Sequence, residues 1–283
     1  MLELPPLPPS LEAWRERIET AVAPCVLFTP RDEEDPALPG CRYGGHPLVP
    51  PGTEWPHSPQ GPLHFVGQLD FAELAACRGD ALSDMPREGV LALFYDVQEQ
   101  RWGYDPKDRA FWKLVWTPRR EEAVPLEPPK ELEEAGLAFD LPVKLTPRLG
   151  LSLPDFSDNR SPVPADAWSE EQSDDYFELR KRLTGGMHAH QLGGNPWWVQ
   201  SDARLEAQLV THGLYCGDSR GYDSPQARKL EPGAADWNLL WQIGSDDASG
   251  FTWGDMGNLY LLIRNQDLRA RRFDKAWLGL QCG

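Results

Sequence analysis

His188 and His190 form an H-x-H pair that, on a strand, would put both imidazoles on one face. With His212 and a carboxylate such as Asp246 or Asp255, they have the residue types of a metal centre. The spacing does not support one: neither H-E-x-x-H nor a two-histidine, one-carboxylate pattern occurs, so no metal and no cofactor is predicted. Cys216-Gly217-Asp218-Ser219-Arg220-Gly221 has the look of a nucleophile loop. It is not G-x-S-x-G, no convincing strand leads into it, and its nearest histidine, His212, is local where triad partners come from distant segments. No catalytic residue is assigned. Gly44-Gly45 and Gly193-Gly194 could cradle a phosphate, but Pro47 and Pro196 follow where a helix would have to continue. They read as tight turns through which backbone passes closely. Gln68 and Gln242 sit among apolar neighbours. A buried amide must be hydrogen-bonded, so each reads as an anchor to a loop such as the Gly-Gly turn, with a ligand-facing amide as the alternative.

The elements that would hold these residues are short strands and few helices. Ser10 predicts a capped helix over 11–22, with Leu11, Trp14, Ile18 and Val22 on one face. Strands are predicted at 25–28, 63–70, 90–96, 111–116, 239–243, 258–264 and 277–282. Short helices are predicted near 71–76, 129–136 and 267–273. A longer one spans 168–183, with Asp166 as its cap and Gly185-Gly186 as its stop. Strand runs without regular helical crossovers argue for antiparallel pairing.

The chain has 283 residues, room for one large domain or two smaller ones, and a net charge of −16. That charge argues against nucleic acid and anionic membrane surfaces, which need a basic face. No run approaches the roughly 20 apolar residues of a membrane helix, and the first residues lack the basic and apolar regions of a secretory signal. Cys25, Cys41, Cys77, Cys216 and Cys282 are odd in number and widely spread, so reduced thiols in a cytoplasmic protein are expected.

An internal repeat organises the chain. Gly44-Gly45-x-Pro47, a strand carrying Gln68, and Gly89 opening an apolar strand recur in order as Gly193-Gly194-x-Pro196, a strand carrying Gln242, and Gly257 opening an apolar strand. Both series end in an aromatic strand. The separations of 149, 174 and 168 residues place the length differences in loops. The expectation is an α+β fold: an internally duplicated unit with two related, mainly antiparallel sheets and peripheral helices. Its parts are an N-terminal half with a leading helix (1–118), a charged, proline-spaced connecting region with a helix (119–184) and a C-terminal half (185–283), together one globular unit.

The segments GGHPLVPPGTEWPHSPQGPLHFVGQLD (44–70), MPREGVLALFYD (85–96), HQLGGNPWWVQ (190–200), LLWQIGSD (239–246) and FTWGDMGNLYLLI (251–263), with the closing strand, together resemble the YwqG-like family, a bacterial domain of unknown function. The resemblance runs from about Cys25 to Cys282. It implies a duplicated, largely antiparallel α+β fold and carries no catalytic assignment. Some relatives are encoded beside secreted polymorphic toxins, which implies toxin neutralisation for part of the family.

Acidic residues cluster at 32–35, 121–134, 170–178 and 246–247. Such clusters keep a surface solvated. Beside Trp168, Tyr176 and Tyr222 they also resemble a charged rim around aromatic anchors. The function expected is therefore non-enzymatic protein binding: an immunity protein covering a cognate, basic toxin. Asp32, Glu33, Glu34 and Asp35, or Glu170, Glu171, Asp174 and Asp175, would steer, and Trp168 and Tyr176 would anchor. The alternative is a small-ligand or metal-dependent enzyme with His188, His190 and Asp255 between the two repeats.

Overall fold

The computed structural model describes residues 2–32, 39–136, 142–155 and 158–283. Among these residues, ten strands form one sheet. In chain order they are β1 (Ala23–Asp32), β2 (Arg42–Tyr43), β3 (His64–Asp70), β4 (Val90–Tyr95), β5 (Trp112–Thr117), β6 (Val143–Ser152), β7 (His190–Leu192), β8 (Trp237–Gly244), β9 (Asn258–Arg264) and β10 (Trp277–Gln281). Their order across the sheet is β10-β9-β8-β7-β1-β6-β2-β3-β4-β5, with every pair antiparallel. The helices are α1 (Arg15–Ala21), α2 (Phe71–Arg78), α3 (Lys130–Glu134), α4 (Glu170–Thr184), α5 (Arg204–Val210), α6 (Ser219–Asp223), α7 (Pro225–Leu230) and α8 (Asn265–Arg269). Among the described residues, none is long and apolar enough to cross a membrane.

The two sheets expected from the sequence are one sheet, because β1 and β6 bridge them. These strands pair from Ala23↔Ser152 to Asp32↔Val143, β7 adds to the free edge of β1, and β2 adds to that of β6. β6 lies inside the segment read as a connecting region. Its Pro147 and Gly150 disguise it, since proline lacks an amide donor and glycine weakens a strand. Pro147 stands opposite Phe28, and a Cβ on Gly150 would lie 2.8 Å from Leu27 Cδ1, so close packing of the central pair uses that glycine.

The outer strands β5 and β10 approach each other side chain to side chain. Trp112 meets Trp277 edge-on at 6.0 Å, and Trp116 meets Phe273 at 4.8 Å. Between the two edges the backbone amide of Leu280 donates to the Trp102 carbonyl (2.9 Å), and Trp277 Nε1 donates to the Gly103 carbonyl (2.8 Å). The sheet thus curls around its core, and residues 102–103 cover an edge that would otherwise offer unpaired backbone groups. The main core draws on both flanks: Tyr43, Leu91 and Tyr95 from one, Trp237, Trp241 and Tyr260 from the other. A second cluster under α4 joins Leu11 and Ile18 to Leu153, Tyr176 and Leu179.

Local details correct the sequence reading in two places. The first helix is a 3-10 turn, Pro9–Trp14, followed by α1, and Ser10 does not cap it: its hydroxyl donates to Asp175 on α4. α4 starts at Glu170, capped by Ser169 rather than Asp166. Ser169 Oγ accepts from the Gln172 amide, while Gln172 Oε1 accepts from the Ser169 amide, a reciprocal capping box. Gly185 ends α4 in the left-handed conformation, as expected.

Candidate functional site

Both Gly-Gly pairs are turns with positive φ throughout, +59° and +69° at Gly44 and Gly45, and +65° and +71° at Gly193 and Gly194. A Cβ on Gly194 would meet Cys25 Cβ at 2.8 Å and the Pro24 carbonyl oxygen at 3.1 Å, so this turn packs directly on the start of β1. The glutamines anchor these turns by the same pattern. Gln68 Oε1 accepts from the Leu48 amide (3.1 Å) and its Nε2 donates to the Gly40 carbonyl (3.0 Å). Gln242 Oε1 accepts from the Trp197 amide (2.8 Å) and its Nε2 donates to the Ala189 carbonyl (2.9 Å). In each case the amide bound belongs to the residue after the turn proline. Both glutamines are fully buried, and each has a partner at both its oxygen and its nitrogen.

Of the residues set aside as catalytic candidates, His188 and Asp246 lie near enough to His190 to act on its charge. His190 is 4% exposed and shares a 2.7 Å hydrogen bond between Nδ1 and the Tyr43 hydroxyl; burial lowers its pKa to about 4, so it is neutral. His188 pairs with Asn258 Oδ1 at 3.3 Å, and Asp255 is exposed in the turn before β9. Among the described residues no three His, Cys, Asp or Glu side chains are grouped to hold a metal. His212 donates to the Gln208 carbonyl (2.6 Å). Cys216 is buried, and desolvation pushes its thiol up to about 12, far from the thiolate a nucleophile needs. The five cysteines are free thiols.

The acidic clusters are dispersed. Asp32 ends β1, its side chain lying outside the description, and Glu33, Glu34 and Asp35 lie outside the described residues. Glu121, Glu122, Glu131, Glu133 and Glu134 are exposed around α3 and the turn before it, and Asp247 is exposed while Asp246 is half-buried. α4 is different because it combines charge with an exposed ring. Tyr176 does not serve as an anchor: it is 0% exposed, its hydroxyl donates to the Pro154 carbonyl (3.0 Å), and it packs on Trp168 at 4.8 Å. Trp168 is half-buried between Tyr176 and Trp14. Tyr222 is half-buried, with its hydroxyl on Glu206. Asp175 is tied to Ser10.

Sequence reasoning missed the neighbouring ring. Phe177 is 36% exposed and rests edge-on against Trp197 at 5.5 Å, and Met187, just past the helix end, is 38% exposed. Exposed Glu170, Asp174 and Phe177 recur at i, i+4 and i+7, and Glu171 and Glu178 flank that stripe. A helical-wheel reading of residues 170–184 points to this arrangement once Leu179 and Leu183 are taken as the inner face. The result is an exposed ring within an acidic rim, carried on a capped helix.

No curated protein matches the chain. A family model described as "Domain of unknown function (DUF1963)" matches residues 41–282, which take in both Gly-Gly turns, both anchoring glutamines and every strand of the sheet except β1. The chain belongs to that family of domains of unknown function.

Proposed function

We propose that this chain is a non-enzymatic protein-binding protein whose α4 face engages a basic protein partner, and that neutralising a basic toxin is its specific role. The observation that carries the reading is exposed Phe177 set among Glu170, Glu171, Asp174 and Glu178. An aromatic anchor inside a charged rim is how interface hot spots are built, and an acidic rim speeds encounter with a cation-rich surface. The net charge of −16 supports a protein partner over nucleic acid. A toxin that works on nucleic acid must itself be basic, which is the complement this face requires. Free thiols at all five cysteines support a cytoplasmic setting.

Within its family we take the chain to be YwqG-like, on the motifs quoted above, and to be an internal duplication arranged about the β1–β6 pair. Several correspondences support this. The Gln68 and Gln242 bonds match, and the amides of Gly44 and Gly193 donate to the carbonyls of Val66 and Leu240 (3.1 and 3.2 Å). Those two residues occupy the register shifts of β3 and β8. The amides of Phe71 and Ser245, each three residues past the glutamine, donate to the carbonyls of Gly89 and Gly257 (2.9 and 3.0 Å).

The test is capture from the native host at low and moderate salt, read by mass spectrometry. The reading expects a stoichiometric basic protein that is lost as salt rises. It is lost to the combined substitution of Glu170, Glu171, Asp174 and Glu178 by Lys, and weakened by about 2 kcal/mol, roughly thirtyfold, by Phe177→Ala. A partner that ignores both salt and these substitutions would overturn it.

A further inference from the structure

Two hollows share a wall where the Gly193-Gly194 turn passes the start of β1. The smaller, about 310 Å³, is walled by Leu82 and Met85 from the first half of the chain and by Leu239 and Leu268 from the second. The larger, about 730 Å³, opens beside Arg17 and Thr20 of α1. Ala23, Arg160 and Asn195 line both. The smaller falls within the range of small-molecule sites, and its apolar walls carry a few convergent polar groups.

Arg160 is the group at the junction. Its Nη1 donates to Asn238 Oδ1 (2.8 Å), and its Nη2 donates to the carbonyls of Ala235 and Trp237 (2.9 Å each). All three acceptors are neutral, and Arg160 forms no ion pair among the described residues. A guanidinium has five N–H groups, so two of them remain unbonded in a half-buried side chain. Asn265 Oδ1 accepts from Asn238 Nδ2 (2.9 Å), which leaves the Asn265 amide nitrogen as a further donor on the same wall. Asp84 also borders the hollow, but Arg269 pairs with it at 2.9 Å and holds its carboxyl below the usual range. Arg17 faces the adjoining hollow, and Glu16 beside it is the one carboxylate on that rim among the described residues. The cleft thus sets one cation, Arg160, and neutral N–H donors over leucine and methionine, and its lining carboxylate, Asp84, is taken up by Arg269.

We propose that the 310 Å³ cleft at Arg160 binds a small organic carboxylate with an apolar body, the carboxylate on Arg160 and Asn265 and the body against Leu82, Leu239 and Leu268. This is independent of the α4 surface and holds whether or not a protein partner exists.

The test is ¹H–¹⁵N NMR of the full chain titrated with benzoate and isovalerate, with benzyl alcohol as the neutral counterpart of benzoate. Saturable shifts are expected at the Arg160 Nε–H and the Asn265 side-chain amide, with a Kd on the order of 1 mM or tighter for at least one carboxylate. Benzyl alcohol should bind at least about tenfold more weakly, as should benzoate to Arg160→Gln. Because Arg160 also ties down the Ala235–Asn238 segment, the wild-type comparison of benzoate with benzyl alcohol stands without the variant. No saturable shift at these groups with either carboxylate, or equal binding of the alcohol, would overturn the proposal.

Discussion

The Tyr222 hydroxyl donates to Glu206 Oε2 (3.1 Å) on a carboxyl that also faces the Cys216 thiol and Asp108, and burial raises its pKa from 4.5 to about 7. Between those values the folded chain keeps a proton that the unfolded chain has released. The stability this proton confers is therefore complete below about pH 4.5 and is lost as pH rises through about 7. His190 acts in the opposite sense. Its pKa falls from 6.5 to about 4, so its contribution is complete above 6.5 and is lost as pH falls through about 4. The two slopes oppose each other in the native protein, so the informative quantity is the difference between variant and wild type. Glu206→Gln, which still accepts from Tyr222, should gain about 1–3 kcal/mol relative to wild type between pH 5 and pH 8 in urea unfolding. A difference that stays flat over that range would contradict the assignment. His190 stands out in the sequence, but its burial and that of Glu206 do not, since they come from β7 meeting Tyr43 of β2 and from α5 meeting Tyr222 of α6. Tyr176 and Phe177 make the same point. The aromatic-acidic character of 168–183 was readable, but which of two adjacent rings faces water depends on the angular placement of Leu179 over the leading 3-10 turn.

Each Gly-Gly turn with its glutamine is one element, a strand locked to the loop that precedes it. Replacing either glutamine with leucine keeps the shape but strands a backbone amide and a carbonyl without their partner. Gln68→Leu and Gln242→Leu should each cost about 2–4 kcal/mol in denaturant unfolding, and the two costs should agree within about 1 kcal/mol. One large cost beside a negligible one would contradict an equivalent role for the two. This element was legible because glycine pairs, proline offsets and a buried amide each demand a particular local structure. The two-stranded core of the sheet was only half legible. β1 was readable in part, between Pro24 and Pro30, whereas β6 carries Pro147, Gly150, Lys144 and Arg148, and only its pairing with β1 makes it a strand. The α4 cap shifted from Asp166 to Ser169 for a related reason: both residues can cap, and the reciprocal bond with Gln172 decides between them.

At the scale of the molecule, one curled sheet carries the α4 face. The Trp112–Trp277 and Trp116–Phe273 contacts close the sheet on itself. α4 is fixed to it through Tyr176, Leu179 and Arg180, whose guanidinium pairs with Asp155 at 2.5 Å and lies 4.1 Å from the Trp197 ring centroid. Phe177 thus stands on Trp197, and Trp197 in turn on a buried arginine; under the proposed function this packing would order the anchor before a partner arrives and keep its ordering cost on binding small. The closure of the sheet was not legible, because it depends on edge strands far apart in sequence meeting through aromatic side chains. The most direct test of the central claim is photo-crosslinking in the native host, with p-benzoylphenylalanine placed at Phe177 and, as a control, at the exposed Met256. The account predicts one dominant crosslink to a basic protein from position 177, abolished when Glu170, Glu171, Asp174 and Glu178 are changed to Lys, and none from position 256. Crosslinks of equal yield from both positions, or none from 177, would contradict it.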